Sequence, residues 1–138
     1  TVFCLNVLEH IEDHERALRH ALRVLQPGGR LILIVPAHRW LYGTIDRAIG
    51  HYRRYDKGDM ARLLRTAGFL PVEQKYINAL GAVGWFVSGR IFRNATPPSN
   101  QLRLFNRLVP LLKAVERAVP IPFGISLMTV AEKPRQAR

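Results

Sequence analysis

The 138-residue sequence has one cysteine, ten acidic residues against 21 Lys and Arg, and no apolar run of the roughly 20 residues that a membrane span requires. A single cysteine excludes a disulfide framework and a cysteine-rich zinc site, and it fits a reducing, cytoplasmic location. Cys4 lies in the apolar run Val2, Phe3, Cys4, Leu5, where it reads as a small core residue rather than a nucleophile. The shortage of acids leaves a formal charge of +11 and a pI near 11.0. That excess invites a polyanionic partner, nucleic acid or an anionic lipid surface. The alternative is that balancing acids belong to a segment outside this sequence. The basic residues are scattered through Arg16, Arg19, Arg23, Arg30, Arg53, Arg54, Arg62, Arg65, Arg103, Arg107 and Arg117, with no long cluster and no nucleic-acid module. Such spacing favours solvated helix faces. There is no internal repeat and no low-complexity tract.

What is present begins with "TVFCLNVLEHIED". The four apolar residues predict a short strand with both faces covered, as in the interior of a helix-covered parallel sheet. An interior strand needs a neighbour on each side, and the expectation is that these residues are the C-terminal part of a longer chain. Asp13 can cap a helix running to about Leu25, with Ala17, Leu18, Ala21, Leu22 and Leu25 on one face and Glu15, Arg16, Arg19 and Arg23 on the other. Pro27, Gly28 and Gly29 stop it. "RLILIVP" is then a continuous aliphatic strand, flanked on both faces, and the strand, helix and strand make one right-handed crossover unit.

Residues 37–55 show no clean period and read as a long loop with a short helical turn; loops of that length are usually functional or disordered. Asp56 caps a second helix, with Asp59 in a capping-box-like position and Met60, Leu63, Leu64 and Ala67 on its apolar face. Gly68 ends it in the left-handed conformation, and a third strand covers about 70–77. From 78 to 124 the texture becomes helical and glycine-punctuated, with one helix over "ALGAVGWFVSGRIF" and another from about Gln101 to Val119, bent near Pro110. A final strand over about 125–133 and a disordered basic tail over 134–138 complete the chain.

Three features in order, a strand followed by "NVLEHIED", a helix ending in "LQPGGRLILIVP", and a helix ending in "LLRTAGFLPVE", resemble the second half of a class I S-adenosylmethionine-dependent methyltransferase. The resemblance covers residues 1 to about 77 and extends to the last strand. It implies a doubly wound, Rossmann-like α/β sheet of seven strands, mostly parallel, whose last strand is antiparallel and slots between the fifth and sixth. This sequence would supply strands four to seven, with 78–124 as a helical insertion. The glycine-rich cofactor loop and the acidic ribose ligand would lie upstream: Gly28 and Gly29 follow a helix and precede a strand, the wrong order for a nucleotide cradle. The expectation is therefore a fragment that neither binds S-adenosyl-L-methionine well nor turns over alone.

By the same resemblance, Asn6, Val7 and Leu8 line the cofactor's methionine and adenosine end, beyond the carboxyl edge of a strand. The bland reading makes Leu8 core and Glu9 a turn cap. His10 and His38, each following a strand, are candidates for the base that takes a proton from a hydroxyl acceptor. The loop places Trp40, Tyr42, His51, Arg53, Arg54 and Tyr55 as candidates for recognising an anionic or aromatic acceptor, small or lipid-linked. The competing reading has Tyr52 and Tyr55 pinning the loop while the arginines neutralise nearby acids. No metal site is expected: Glu9, His10, Glu12, Asp13 and His14 match no defined ligand spacing, and a helix start explains the acids. The 78–124 insertion is a lid, a dimer contact or a peripheral membrane contact, with an ordinary helical subdomain as the plainer reading. The rival function is a non-catalytic basic α/β module that binds nucleic acid or an anionic membrane.

Overall fold

A computed structural model describes residues 1–79, 81 and 122–135. Its elements in chain order are β1 (Val2–Leu5), α1 (His14–Val24), β2 (Arg30–Pro36), α2 (Thr44–Ala48), α3 (Lys57–Thr66), β3 (Leu70–Ile77) and β4 (Ser126–Glu132). The four strands form one sheet in the order β1-β2-β4-β3. β1 runs parallel to β2, whereas β4 is antiparallel to both β2 and β3 and lies between them. The last strand thus slots between its two predecessors, as the sequence resemblance implies.

Local chemistry accounts for the helix boundaries. The Asp13 side chain accepts a hydrogen bond from the Arg16 amide at 2.9 Å, satisfying one of the unpaired donors at the start of α1. At the other end, Lys133 Nζ donates to the Leu22 and Leu25 carbonyls at 2.9 and 2.7 Å, a cation placed where helix carbonyls lack partners. Gly28 then turns with φ +76°, and its amide joins the Lys133 carbonyl at 2.9 Å. Gly68, at φ +95°, ends α3 in the left-handed region. Asp56 departs from its expected role: it occupies the N-cap position of α3, but its side chain makes no capping bond and lies 3.8 Å from His38 Nδ1. Asp59 pairs with Arg39 and Arg62 instead of completing a capping box.

The core lies on one face of the sheet. Leu31, Leu33 and Val35 of β2 and Leu127 and Ala131 of β4 are fully buried, meeting Leu18 of α1 and Met60 and Leu64 of α3. Ile32 and Ile34, on the opposite face of β2, are only partly buried, so the expected cover on both faces is complete on one among the described residues. β1, read from its composition as an interior strand that needs a neighbour on each side, has one of them. It pairs with β2 alone among the described residues; Val2 and Cys4 pack on the core, but Phe3 is 64% and Leu5 46% exposed. The helices expected within 78–124 and the end of the tail lie outside the described residues.

Candidate active site at the carboxyl edge of the sheet

Two turns follow the carboxyl ends of the parallel strands, and the loop after β2 folds back across both. The first turn, Asn6 to Asp13, contains a 3-10 turn at Leu8–His10. Asn6 takes φ +52°, and its amide extends the β1–β2 ladder by donating to the Ile34 carbonyl at 2.8 Å. Val7 is half exposed, while Leu8 is sealed in the core, so its side chain is withdrawn from the edge. The second segment, Ala37 to Tyr55, is more ordered than a plain loop. It holds a 3-10 turn at Arg39–Leu41 and the five-residue α2, and a parallel bridge between Ala37 and Tyr55 closes its ends.

Asp46 organises this segment. Its carboxylate accepts from the Gly43 amide at 2.9 Å, from His51 Nδ1 at 2.8 Å and from Arg54 Nε at 2.8 Å. Burial alone would raise its pKa, but the His51 and Arg54 hydrogen bonds outweigh that cost and hold the carboxyl below its usual value. Arg54 also donates to the Ala37 carbonyl at 3.1 Å. Tyr55 donates to the Leu8 carbonyl at 3.4 Å and meets His14 Nδ1 at 2.9 Å. Both side chains face inward, and they tie the loop to the scaffold rather than presenting themselves to an acceptor.

The remaining candidates separate. Trp40 is half exposed at the rim, and its ring is 5.8 Å from His38 and 6.3 Å from Phe123. Tyr42 spends its hydroxyl on the His51 carbonyl at 2.8 Å. Arg53 donates to the Glu12 carbonyl at 2.9 Å, and its guanidinium lies 5.6 Å from the Tyr52 ring centre. His38, at φ +61°, is buried among aromatic rings: Tyr76 at 4.5 Å and Phe123, stacked, at 4.9 Å. Burial pushes its pKa down despite Asp56 beside it, and its Nε2 has no hydrogen-bond partner among the described residues. His10 is exposed, its Nδ1 donating to the Gly50 carbonyl at 3.1 Å and its ring edge-on to His51 at 4.7 Å.

Glu9, read from sequence as a turn cap, is buried with neither carboxylate oxygen hydrogen-bonded among the described residues. Burial pushes its carboxyl above the usual value, with its own backbone amide and then His51, His10 and Arg54 pulling the other way. The sequence held one signal for this network: Asp46 is the single acid of residues 37–55, and His51 and Arg54 follow it within nine residues. A cavity of about 360 Å³ lined by Thr1, Val24 and Pro27 lies at the amino ends of the strands, the opposite edge from these residues.

Comparison with known proteins bears on the fold. The chain aligns over 99% of its length with a chain from the complex between the Haloferax volcanii Trm112 methyltransferase activator and a methyltransferase, at 18% identity and a TM-score of 0.59, covering 54% of that chain. It aligns over 94% with an S-adenosylmethionine-dependent methyltransferase from Mesorhizobium loti, at 14% identity and a TM-score of 0.56, covering 59% of that protein. A Haemonchus contortus phosphoethanolamine N-methyltransferase 2 solved with S-adenosyl-L-methionine gives 17% identity over 97% of this chain, covering 33% of the enzyme, with a TM-score of 0.54. This chain therefore spans a little over half the length of the first two. No curated protein sequence matches it. The family model for a methyltransferase domain matches residues 1–74 of 138, more than half of the sequence, and the chain belongs to that family.

Proposed function

We propose that this chain is the second half of an S-adenosylmethionine-dependent methyltransferase acting on a small-molecule or lipid-linked acceptor. The observation that carries the reading is the place of β4, antiparallel and inserted between β2 and β3. That order matches strands four, five, seven and six of the seven-stranded sheet. The exposed Phe3 and Leu5 of β1 support it, since the remaining strands and helices of such a sheet would cover them. The share of the relatives' length that the chain spans supports it as well.

The residues present fit one rim of the cofactor. Asn6 and Val7 are accessible at the carboxyl edge of β1, where they would meet the methionine and adenosine end, while the Leu8 side chain lies in the core. Neither described strand-to-helix turn carries a glycine-rich cradle. When bound, S-adenosylmethionine supplies an electrophilic methyl group on a sulfonium. This chain's residues align the acceptor and take its proton. Of the two candidate histidines, His38 is the one set up to accept a proton: its Nε2 has no hydrogen-bond partner among the described residues, and Asp56 stands 3.8 Å from its Nδ1. Trp40, at the rim beside His38, is the residue placed to wall the acceptor, with Tyr42 and Arg53 contributing from the same loop. His51, Arg54 and Tyr55 hold that wall in place.

The basic-module alternative gains no comparable support, because Arg19, Arg39 and Arg62 pair with Glu15 and Asp59. Calorimetric titration of S-adenosylmethionine tests the proposal. Residues 1–138 alone should show no saturable binding, whereas the same chain supplied with the first half of the domain should bind. Tight binding by residues 1–138 refutes the half-domain assignment. Absence of binding in both preparations refutes the methyltransferase assignment.

A further inference from the structure

We propose that Glu9, His10 and His51 form a site for one divalent cation of the zinc class. One ligand atom from each residue lies within 4.8 Å of the other two. The residues come from separate segments, the turn after β1 and the end of the 37–55 loop, and the Tyr52 amide locks these together by donating to the Glu9 carbonyl at 2.9 Å.

A second, independent observation is the state of Glu9. Its side chain is closed off from water, and neither oxygen has a hydrogen-bond partner among the described residues. An ionised carboxylate in such a place is strongly destabilising unless a cation or donor meets it. Glu9 Oε1 is 3.9 Å from His51 Nε2.

Both imidazoles have Nδ1 engaged, which leaves Nε2 as the available ligand atom. His51 donates through Nδ1 to Asp46 at 2.8 Å, and His10 donates through Nδ1 to the Gly50 carbonyl at 3.1 Å. In each neutral ring the proton therefore sits on Nδ1 and the lone pair on Nε2. Carboxylate and carbonyl partners of this kind fix the tautomer and raise the basicity of metal-bound histidines. With bonds of about 2.1 Å, ligand atoms on one tetrahedral zinc stand roughly 3.4 Å apart, so small side-chain rotations close the triangle. Two imidazoles and one carboxylate favour zinc and its neighbours over magnesium or calcium, and three protein ligands leave a position for water or another oxygen ligand.

The competing account is a protonated, neutral Glu9 that needs no cation. Titration of zinc chloride into the full chain in metal-free buffer at neutral pH distinguishes the two. The expected result is one zinc per chain, weakened roughly tenfold or more by Glu9→Gln, His51→Ala or His10→Ala. His20→Ala, at an exposed position on α1, should bind as the parent does. Cobalt(II) added in place of zinc should give visible absorption that His10→Ala removes. Circular dichroism shows which variants fold, and His10→Ala, being exposed, keeps the test decisive should the buried substitutions unfold the chain. No saturable zinc binding by the parent overturns the proposal, as does parent-like binding by folded Glu9→Gln and His10→Ala. Zinc binding is measured without S-adenosylmethionine or turnover, so its failure is distinct from failure of the methyltransferase reading.

Discussion

Arg54 Nε donates to Asp46 Oδ1 at 2.8 Å in a place where neither side chain touches solvent. Breaking such a pair strands one charge in a low-dielectric interior. Arg54→Ala should destabilise the protein by about 3–5 kcal/mol. Arg54→Lys keeps the charge without the planar fork and should recover only part of the loss. Urea denaturation of the three proteins checks this, and an unchanged midpoint in Arg54→Ala would show that the pair does not hold the loop.

Tyr55 joins the loop to the turn after β1 through one hydroxyl. Its removal leaves His14 Nδ1 short of a partner and the Leu8 carbonyl with the Ile11 amide at 3.3 Å. Tyr55→Phe keeps the ring in the core and should cost about 1–2 kcal/mol. Amide hydrogen exchange should rise in the turn at Leu8–His10 and stay constant in β2.

Acid should weaken the fold through His38 and His14, whose pKa values are both lowered from 6.5 by burial. The unfolded chain then binds protons before the folded one, so stability is fully present above 6.5 and is lost as pH falls through the folded pKa values. Glu9, with its raised pKa, contributes in the opposite sense above 4.5. Comparing His38→Gln with the parent isolates the histidine contribution: the slope of stability against pH between about 7.5 and 5.5 should be shallower in the variant. An identical slope would mean that His38 is protonated as readily in the folded state as in the unfolded one.

Gly124 lets the chain enter β4 against the end of β3. A Cβ there would collide with the Ile77 carbonyl oxygen, a backbone atom that cannot rotate away. The adjoining Ile125 amide donates to the Asn78 carbonyl at 3.0 Å. Gly124→Ala should therefore cost about 1–3 kcal/mol as the crossing is forced apart. A thermal midpoint equal to the parent's would contradict this crossing geometry.

If His38 takes the acceptor's proton, His38→Gln in the complete, active enzyme should lower kcat by about 10²–10⁴-fold. Its KM for the cofactor should hold steady. His10→Ala should leave the pH profile of kcat unchanged, since the proton acceptor remains. Normal turnover in both variants would remove histidine general-base catalysis.

Elements whose causes are local are legible in the amino-acid order. The continuous aliphatic run from Leu31 to Val35 is a strand, the apolar face of α1 repeats at helical spacing behind the Asp13 cap, and Gly68 supplies the positive φ that ends α3. The motifs at "NVLEHIED" and "LQPGGRLILIVP" carried the family, and the strand order they imply is the one found. Side-chain partners across the loop were decided only by tertiary structure. Asp56 has the type and spacing of a cap but faces His38, and Glu12, Asp13 and His14, neighbours of Glu9 in sequence, are not the residues gathered with it. His51 reaches Glu9 because the Ala37–Tyr55 bridge returns the loop to the end of β1. Periodicity and caps act over one or two turns of chain, whereas burial of Glu9, Asp46 and Arg54 depends on segments that meet only after the sheet has formed.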